Sequence, residues 1–304
     1  MARLRLPRRS LAFREAIEGW IGVSPWLIGF IAFTAGPFLV SIALSMSDWR
    51  ITVAPRFVGL QNYIKILTDD PNFWQSIRVT FTYVALALPL GLFGGLGLSL
   101  LLNQKVPGAR TFSTIFYLPA VLSGVSVALM WMWLLNPEYG VVNTILSLVG
   151  IKGPNWFWDP DWSLPSVVLM SLWRVGGSAI IYLAGLQNIS PHLYEAAEID
   201  GAGRWSRLRH ITIPMLTPTI FFQLVMELID AFQVFTVIYI ITDGGPMRST
   251  LFYLFYMFRT AFEDFDMGYA SALAWIMGLI ILSFTALVFK SSPLWVFYES
   301  DVKK

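Results

Sequence analysis

Four stretches of this chain contain no charged residue at all. Gly19–Ser47 covers 29 residues, Val79–Gln104 covers 26, Thr111–Pro137 covers 27 and Met267–Phe289 covers 23. A bilayer's hydrocarbon core, about 30 Å thick, takes roughly 20 apolar residues as a helix rising ~1.5 Å per residue. The chain is therefore expected to be an all-α, polytopic membrane protein, and a soluble globular enzyme is excluded. The same runs account for a composition that is 56% hydrophobic and only 13% charged, where a soluble domain carries about 25% charged residues.

Six spans are expected, near 22–46, 76–102, 111–135, 164–188, 217–241 and 268–290. Arg174 interrupts the fourth, and Glu227 and Asp230 interrupt the fifth. Pro37, Pro89 and Pro119 lie inside spans, and Gly91, Gly94, Gly95 and Gly97 crowd the second. Such breakers are frequent in membrane helices, where small residues let neighbours approach closely. Residues 1–21 form a basic segment with Arg3, Arg5, Arg8, Arg9 and Arg14. The apolar run after it is about twice the 7–15 residues of a signal peptide's core, so a retained first span is expected.

Basic residues test the orientation. With the amino terminus inside, 13 fall on the cytoplasmic side, including Lys105, Arg110, Arg204, Arg207, Arg209, Lys290, Lys303 and Lys304, and six fall outside. Both termini are expected in the cytoplasm. The outer segment 136–163 holds Trp156, Phe157, Trp158 and Trp162, and Tyr139–Ile151 reads as a short amphipathic piece. Either an interfacial aromatic belt or a contact surface for an external partner fits that cluster. With no cysteine, two histidines and no P-loop motif, thiolate chemistry and P-loop binding of nucleotide phosphates by this chain are excluded and zinc chemistry has little material.

The segment between the fourth and fifth spans is the most informative. Ser190 suits an N-cap, Pro191 the first helical position and Gly201 a C′ position with positive φ. They bound a helix of roughly ten residues, too short to stand without packing on something. A surface helix joining two spans and a docking element for another protein are equally compatible with these residues.

Glu195-Ala196-Ala197, Gly201 and Ile211-Thr212-Ile213-Pro214 resemble the EAA signature of ABC importer permeases: E-A-A, three residues, G, nine residues, I-x-L-P. Ile213 replaces the usual Leu, and Leu208 stands where an aromatic is frequent. With Tyr194 before the triplet and Asp200-Gly201-Ala202 after it, the form resembles the carbohydrate-uptake branch. Leu60-Gln61-Asn62-Tyr63, Phe116-Tyr117-Leu118-Pro119, Trp131 through Pro137, Gly140, Asn143, Ala184-Gly185-Leu186-Gln187, Thr242 through Pro246 and Met267 through Ala272 add weaker likenesses over roughly 22–290.

The resemblance implies a six-span permease domain over 22–290, with a coupling loop about 189–214 and a cytoplasmic tail over 291–304, in a prokaryotic cell (inner) membrane. It implies several partners: a second homologous permease, two ATPase subunits and an extracytoplasmic solute-binding protein, with lipid around them and no nucleic acid. Tyr194, Glu195, Ala196, Ala197, Asp200, Gly201 and Pro214 would form the coupling site. ATP and Mg would belong to the ATPases, no cofactor or metal to this chain, and no residue here would be catalytic.

Charges at mid-membrane usually face the bundle interior or a wet cavity. Gln223, Glu227, Asp230 and Val234 recur on one face of the expected fifth span. Trp173, Arg174, Ser178 and Tyr182 line the fourth. Charged groups, hydroxyls and aromatic faces are what sugars bind to, and the resemblance places cargo contacts at these positions. An ion pair between Arg174 and Glu227 or Asp230 is the structural alternative, compatible with the first. Two carboxylates against one arginine favour a neutral or cationic cargo over glycerol phosphate. A proton-coupled carrier using Glu227 or Asp230 is a competing function, and a membrane enzyme or scaffold a more distant one.

Overall fold

The computed structural model describes residues 8–104 and 107–297. Arg3, Arg5, Lys105, Lys303 and Lys304, counted in the charge asymmetry, and the tail beyond residue 297 lie outside the described residues. The first span is α1 (Arg8–Phe30) and α2 (Gly36–Ser45), joined by one π turn at Ile31–Ala35. That widened turn precedes Pro37, which has no N–H for the ladder and whose ring crowds the carbonyl one turn earlier.

The helices that follow are α3 (Gln61–Thr68), α4 (Pro71–Leu102), α5 (Ala109–Val121), α6 (Gly124–Leu134), α7 (Val141–Leu148), α8 (Pro160–Leu172) and α9 (Val175–Gln187). Then come α10 (Pro191–Ile199), α11 (Arg204–Arg207), α12 (Ile213–Phe232), α13 (Tyr253–Phe262) and α14 (Met267–Ser291). Phe13–Ser45, Pro71–Leu102, Pro160–Gln187, Arg204–Phe232 and Met267–Leu294 are long and apolar enough to cross a bilayer. The pair α5–α6 completes six when counted as one span.

Two expected spans differ in detail. The third is not one straight helix over 111–135: α5 and α6 meet at 100°. Leu122 and Ser123 are extended there, with ψ of 145° and 136°. The fifth begins earlier and ends at Phe232, not near 241. Gln233 turns out of the helix, and a separate π segment follows at Ile238–Thr242. Val234 therefore leaves the helical face assigned to Gln223, Glu227 and Asp230. Hydropathy misses both breaks because the residues around them are as apolar as the helices.

Two compact units are present. The first takes in Met1–Ile64 and Thr260–Trp275. There β1 (Ser47–Asp48) pairs antiparallel with β2 (Arg56–Phe57). The Asn62 amide donates to the carbonyls of Ser45 and Ser47, both at 2.9 Å, and the Tyr63 hydroxyl donates to Ser45 Oγ at 2.7 Å. The Gly268 N–H donates to the Trp49 carbonyl, and the Ser47 carbonyl fills the space a Cβ at 268 would need. The Leu60–Tyr63 and Met267–Ala272 motifs thus both serve to tie down the chain after the first span.

The second unit comprises Lys65–Arg259 and Ile276–Lys304. Asp70 caps α4, its Oδ1 accepting the N–H groups of Asn72 and Phe73, while its Oδ2 accepts the Tyr256 hydroxyl at 2.6 Å. Burial, then the neighbouring Tyr256 and Asp70, hold the Tyr253 hydroxyl above the ordinary tyrosine range. Val79, Tyr83, Val167, Ile238, Phe252 and Phe255 form the core beside this clamp. Gly176 meets the Phe116 carbonyl with no room for a side chain, which explains the Phe116–Pro119 motif as a crossing point. Gly176→Val is expected to overpack that crossing by about 1–3 kcal/mol. The thermal midpoint of the purified protein, read by intrinsic fluorescence, should fall by several degrees.

Candidate functional site

The short helix between the fourth and fifth spans forms where its stop signals predict. Ser190 is its N-cap residue, Pro191 its first residue and Asp200 its C-cap. Gly201 adopts φ +77°. The Gly201 N–H donates to the Glu198 carbonyl at 3.0 Å and the Ala202 N–H to the Ala197 carbonyl at 2.8 Å. These are the two bonds of a Schellman closure. They explain the triplet-to-glycine spacing: Ala197 supplies the carbonyl and Gly201 the left-handed residue. Nothing crowds Gly201, so the backbone, not space, selects glycine there.

No residue of α10 is buried. Glu195, Ala196 and Asp200 are exposed and Ala197 half-buried. Glu195 sits beside His192 at 3.1 Å. Tyr194 points the other way, its hydroxyl 3.0 Å from Thr212 Oγ1 at the entry to α12. Its ring packs against a cluster of Tyr182 and Leu186 from α9, Ile189 just beyond it and Leu216 from α12. Glu198 accepts a hydrogen bond from Arg207. Pro214 is at the start of α12, where a missing N–H costs least. The helix is thus anchored to both neighbouring spans, while its Leu193 and Ile199 are exposed, Ile199 by 87%, as is Trp205 on α11.

Deeper in the fold, Gly91, Gly94 and Gly95 share one face of α4, at i, i+3 and i+4. A Cβ at 91 would come within 2.8 Å of Glu227 Oε2, one at 94 within 3.3 Å of Val175 and one at 95 within 3.0 Å of Ser178 Cβ. Gly97, off that face, meets nothing. Without side chains at these positions α4 lies close to α9 and α12, and Ser178 Oγ donates to Glu227 Oε1 at 2.6 Å. The sequence showed a glycine-crowded span; its spacing was the available signal for this contact. Thr212 and Arg207, which hold α10, carried no comparable signal.

The other expected pathway residues are distributed differently. Tyr182 and Gln223 are buried within the subunit, whereas Asp230 and Arg174 are exposed. Arg174 stands at the junction of α8 and α9. Among the described residues it makes no ion pair with Glu227 or Asp230 within 4.0 Å. Trp173 meets Trp131 edge-on at 6.0 Å.

These helices, with an exposed helix joining two spans, define a polytopic transport subunit. The chain belongs to the family of binding-protein-dependent transport system inner membrane components, whose model matches residues 87–291. It is 43% identical over 291 residues to the "Probable ABC transporter permease protein YesP" of Bacillus subtilis, covering 94% of each chain. It is 33% identical over 289 residues to the lactose transport system permease protein LacF of Rhizobium radiobacter, covering 93% of this chain and 96% of that one. It also superposes on a chain of a bacterial alginate ABC transporter, crystallised with an alginate pentasaccharide-bound periplasmic protein. The TM-score is 0.83 and the identity 26%, over 92% of this chain and 96% of that one. The chain is an importer permease subunit of the inner membrane, not an enzyme, and the proton-coupled carrier is set aside.

The close approach at Gly91 can be tested by a double-mutant cycle. Gly91→Ala should destabilise the wild-type background, because the new methyl displaces Glu227. It should cost less when Glu227 is Ala, leaving a coupling of about 0.5–3 kcal/mol in thermal unfolding. Additive effects would show that the two residues do not meet.

Proposed function

We propose that this chain forms half of the translocation pathway of an ATP-driven importer for a sugar or oligosaccharide, and that α10 couples it to ATPase subunits. The observation that carries this reading is the construction of α10. None of its residues is buried; it is closed by Gly201 and bolted through Tyr194 and Thr212 to the two spans that also share the Ser178–Glu227 hydrogen bond. A push on Glu195, Ala196, Ala197 or Asp200 would reach α9 and α12 together. That is the requirement for converting ATPase closure into a rigid-body, alternating-access change.

In this reading the permease domain covers 22–290 with a coupling loop near 189–214, flanked by a basic segment over 1–21 and a tail over 291–304. The excess of basic residues in the segments assigned to one side supports a cytoplasmic position for both termini and α10. A second permease, two ATPase subunits holding ATP and Mg, and an external binding protein complete the assembly. The saccharide names carried by relatives, lactose among them, and the alginate bound in the neighbouring structure support the cargo class. Ser178, Glu227, Asp230 and Arg174 are the polar groups offered to hydroxyls, with Trp173, Tyr182 and Gln223 behind or beside them. Two carboxylates against one guanidinium favour a neutral saccharide over an acidic one or over glycerol phosphate.

Glu195→Lys and Gly201→Val are expected to insert normally, to retain at most about a tenth of the wild-type ATPase in co-purification, and to lose uptake. ATPase recovery equal to wild type in both variants would remove α10 from the coupling site. In reconstituted vesicles with the cognate binding protein, neutral oligosaccharides should compete for uptake and sugar phosphates should not. Uptake of a sugar phosphate unaffected by neutral sugars would reverse the cargo preference.

A further inference from the structure

The short helix α7 is apolar on two sides, and only one of them is packed. Val142 lies against a core of Leu135, Phe157, Met170 and Ile241. Asn143 pins the same side: its amide donates to the Pro137 and Pro154 carbonyls, and its Oδ1 accepts the Trp156 indole N–H at 2.7 Å. On the opposite side Val141, Ile145 and Leu148 recur at i, i+4 and i+7. They are exposed, Ile145 by 57% and Leu148 by 81%, and Val149 and Ile151 extend the same bare surface. No charged residue occurs from Tyr139 to Ile151; Glu138 and Lys152 bracket the stretch.

We infer that this outer side of α7 lies in the bilayer interface, with Val141, Ile145 and Leu148 inserted among lipid acyl chains at the membrane face opposite α10. Three observations choose lipid over a protein partner. α7 lies between α6 and α8, both apolar helices, and Trp133 on α6 and Leu169 on α8 are exposed as well. The rings beside it, Tyr139, Trp158 and Trp162, are exposed and amphipathic, as belt residues at headgroup depth are. The stretch is uncharged and its exposed positions are aliphatic, whereas the cores of protein interfaces are enriched in aromatics and arginine. An interfacial helix of this kind sinks its apolar face about 5–10 Å into the headgroup boundary. Its pinning through Asn143 and Trp156 would then fix the outer ends of α6 and α8 at a set depth in the membrane.

The chain has no cysteine, so Leu148→Cys and Ile145→Cys each give one nitroxide position on this subunit, with Lys152→Cys as a reference expected to face water. The assembled transporter would be labelled in phosphatidylcholine–phosphatidylglycerol vesicles, and only preparations that retain uptake would be read. At positions 145 and 148 collisions with oxygen should exceed those with a nickel chelate several-fold, with the order reversed at 152. Adding the binding protein should change neither. Nickel accessibility at 145 and 148 equal to that at 152 would place α7 in water, and low collision with both reagents would place it under a protein subunit. Either result overturns the inference.

Discussion

The fold rests on how closely α4 can approach α9 and α12. In a bilayer, lipid tails are as apolar as leucine, so burial of apolar area does little to hold helices together; close packing and hydrogen bonds between helices do. The glycine face of α4 supplies the packing. With Gly91, Gly94 and Gly95 in place, Val175, Ser178 and Glu227 come within van der Waals reach of a bare backbone. Glu227 and Ser178 then supply the hydrogen bond. A larger side chain at any of these glycines would separate the helices and leave a carboxylate unsatisfied in a site where that is expensive.

From that centre the arrangement extends to both ends of the bundle. Toward α10, Tyr182 and Leu216 carry the packing down to Tyr194, whose hydroxyl shares a hydrogen bond with Thr212 Oγ1. Toward the other end, the Asp70 carboxylate caps α4 and holds Tyr256, while Thr80 accepts the Tyr253 N–H. The exposed helix α10 is held by α9 and α12, and the opposite end by α4, the helix packed against both of them.

Much of this was legible in the residues. Pro191 and Gly201 mark the ends of α10 because each meets a local backbone requirement, while Ser190 holds the N-cap position without a side-chain cap bond. Four of the six expected spans followed from charge-free length; the fourth and fifth, interrupted by Arg174 and by Glu227 and Asp230, had to be read through their charges. The bend between α5 and α6 and the early end of α12 were not legible, since Leu122, Ser123 and Gln233 interrupt helices without interrupting hydropathy. An Arg174 pair with Glu227 or Asp230 was equally hard to judge. Opposite charges on adjacent spans suggest a pair, yet Arg174 stands at a helix junction and Glu227 takes a serine instead.

The sequence by itself determined that the chain crosses a membrane, where its short linking helix lies, and which signature that helix carries. These follow from solvent and backbone constraints that act within a few residues or a single helix. Tertiary structure decided which small and polar residues meet. Gly91 faces Glu227 across 136 positions of chain, Tyr194 reaches Thr212, and Val141, Ile145 and Leu148 are left uncovered. Such pairings depend on helix crossing and rotation, which apolar periodicity leaves open when a helix is hydrophobic on every side.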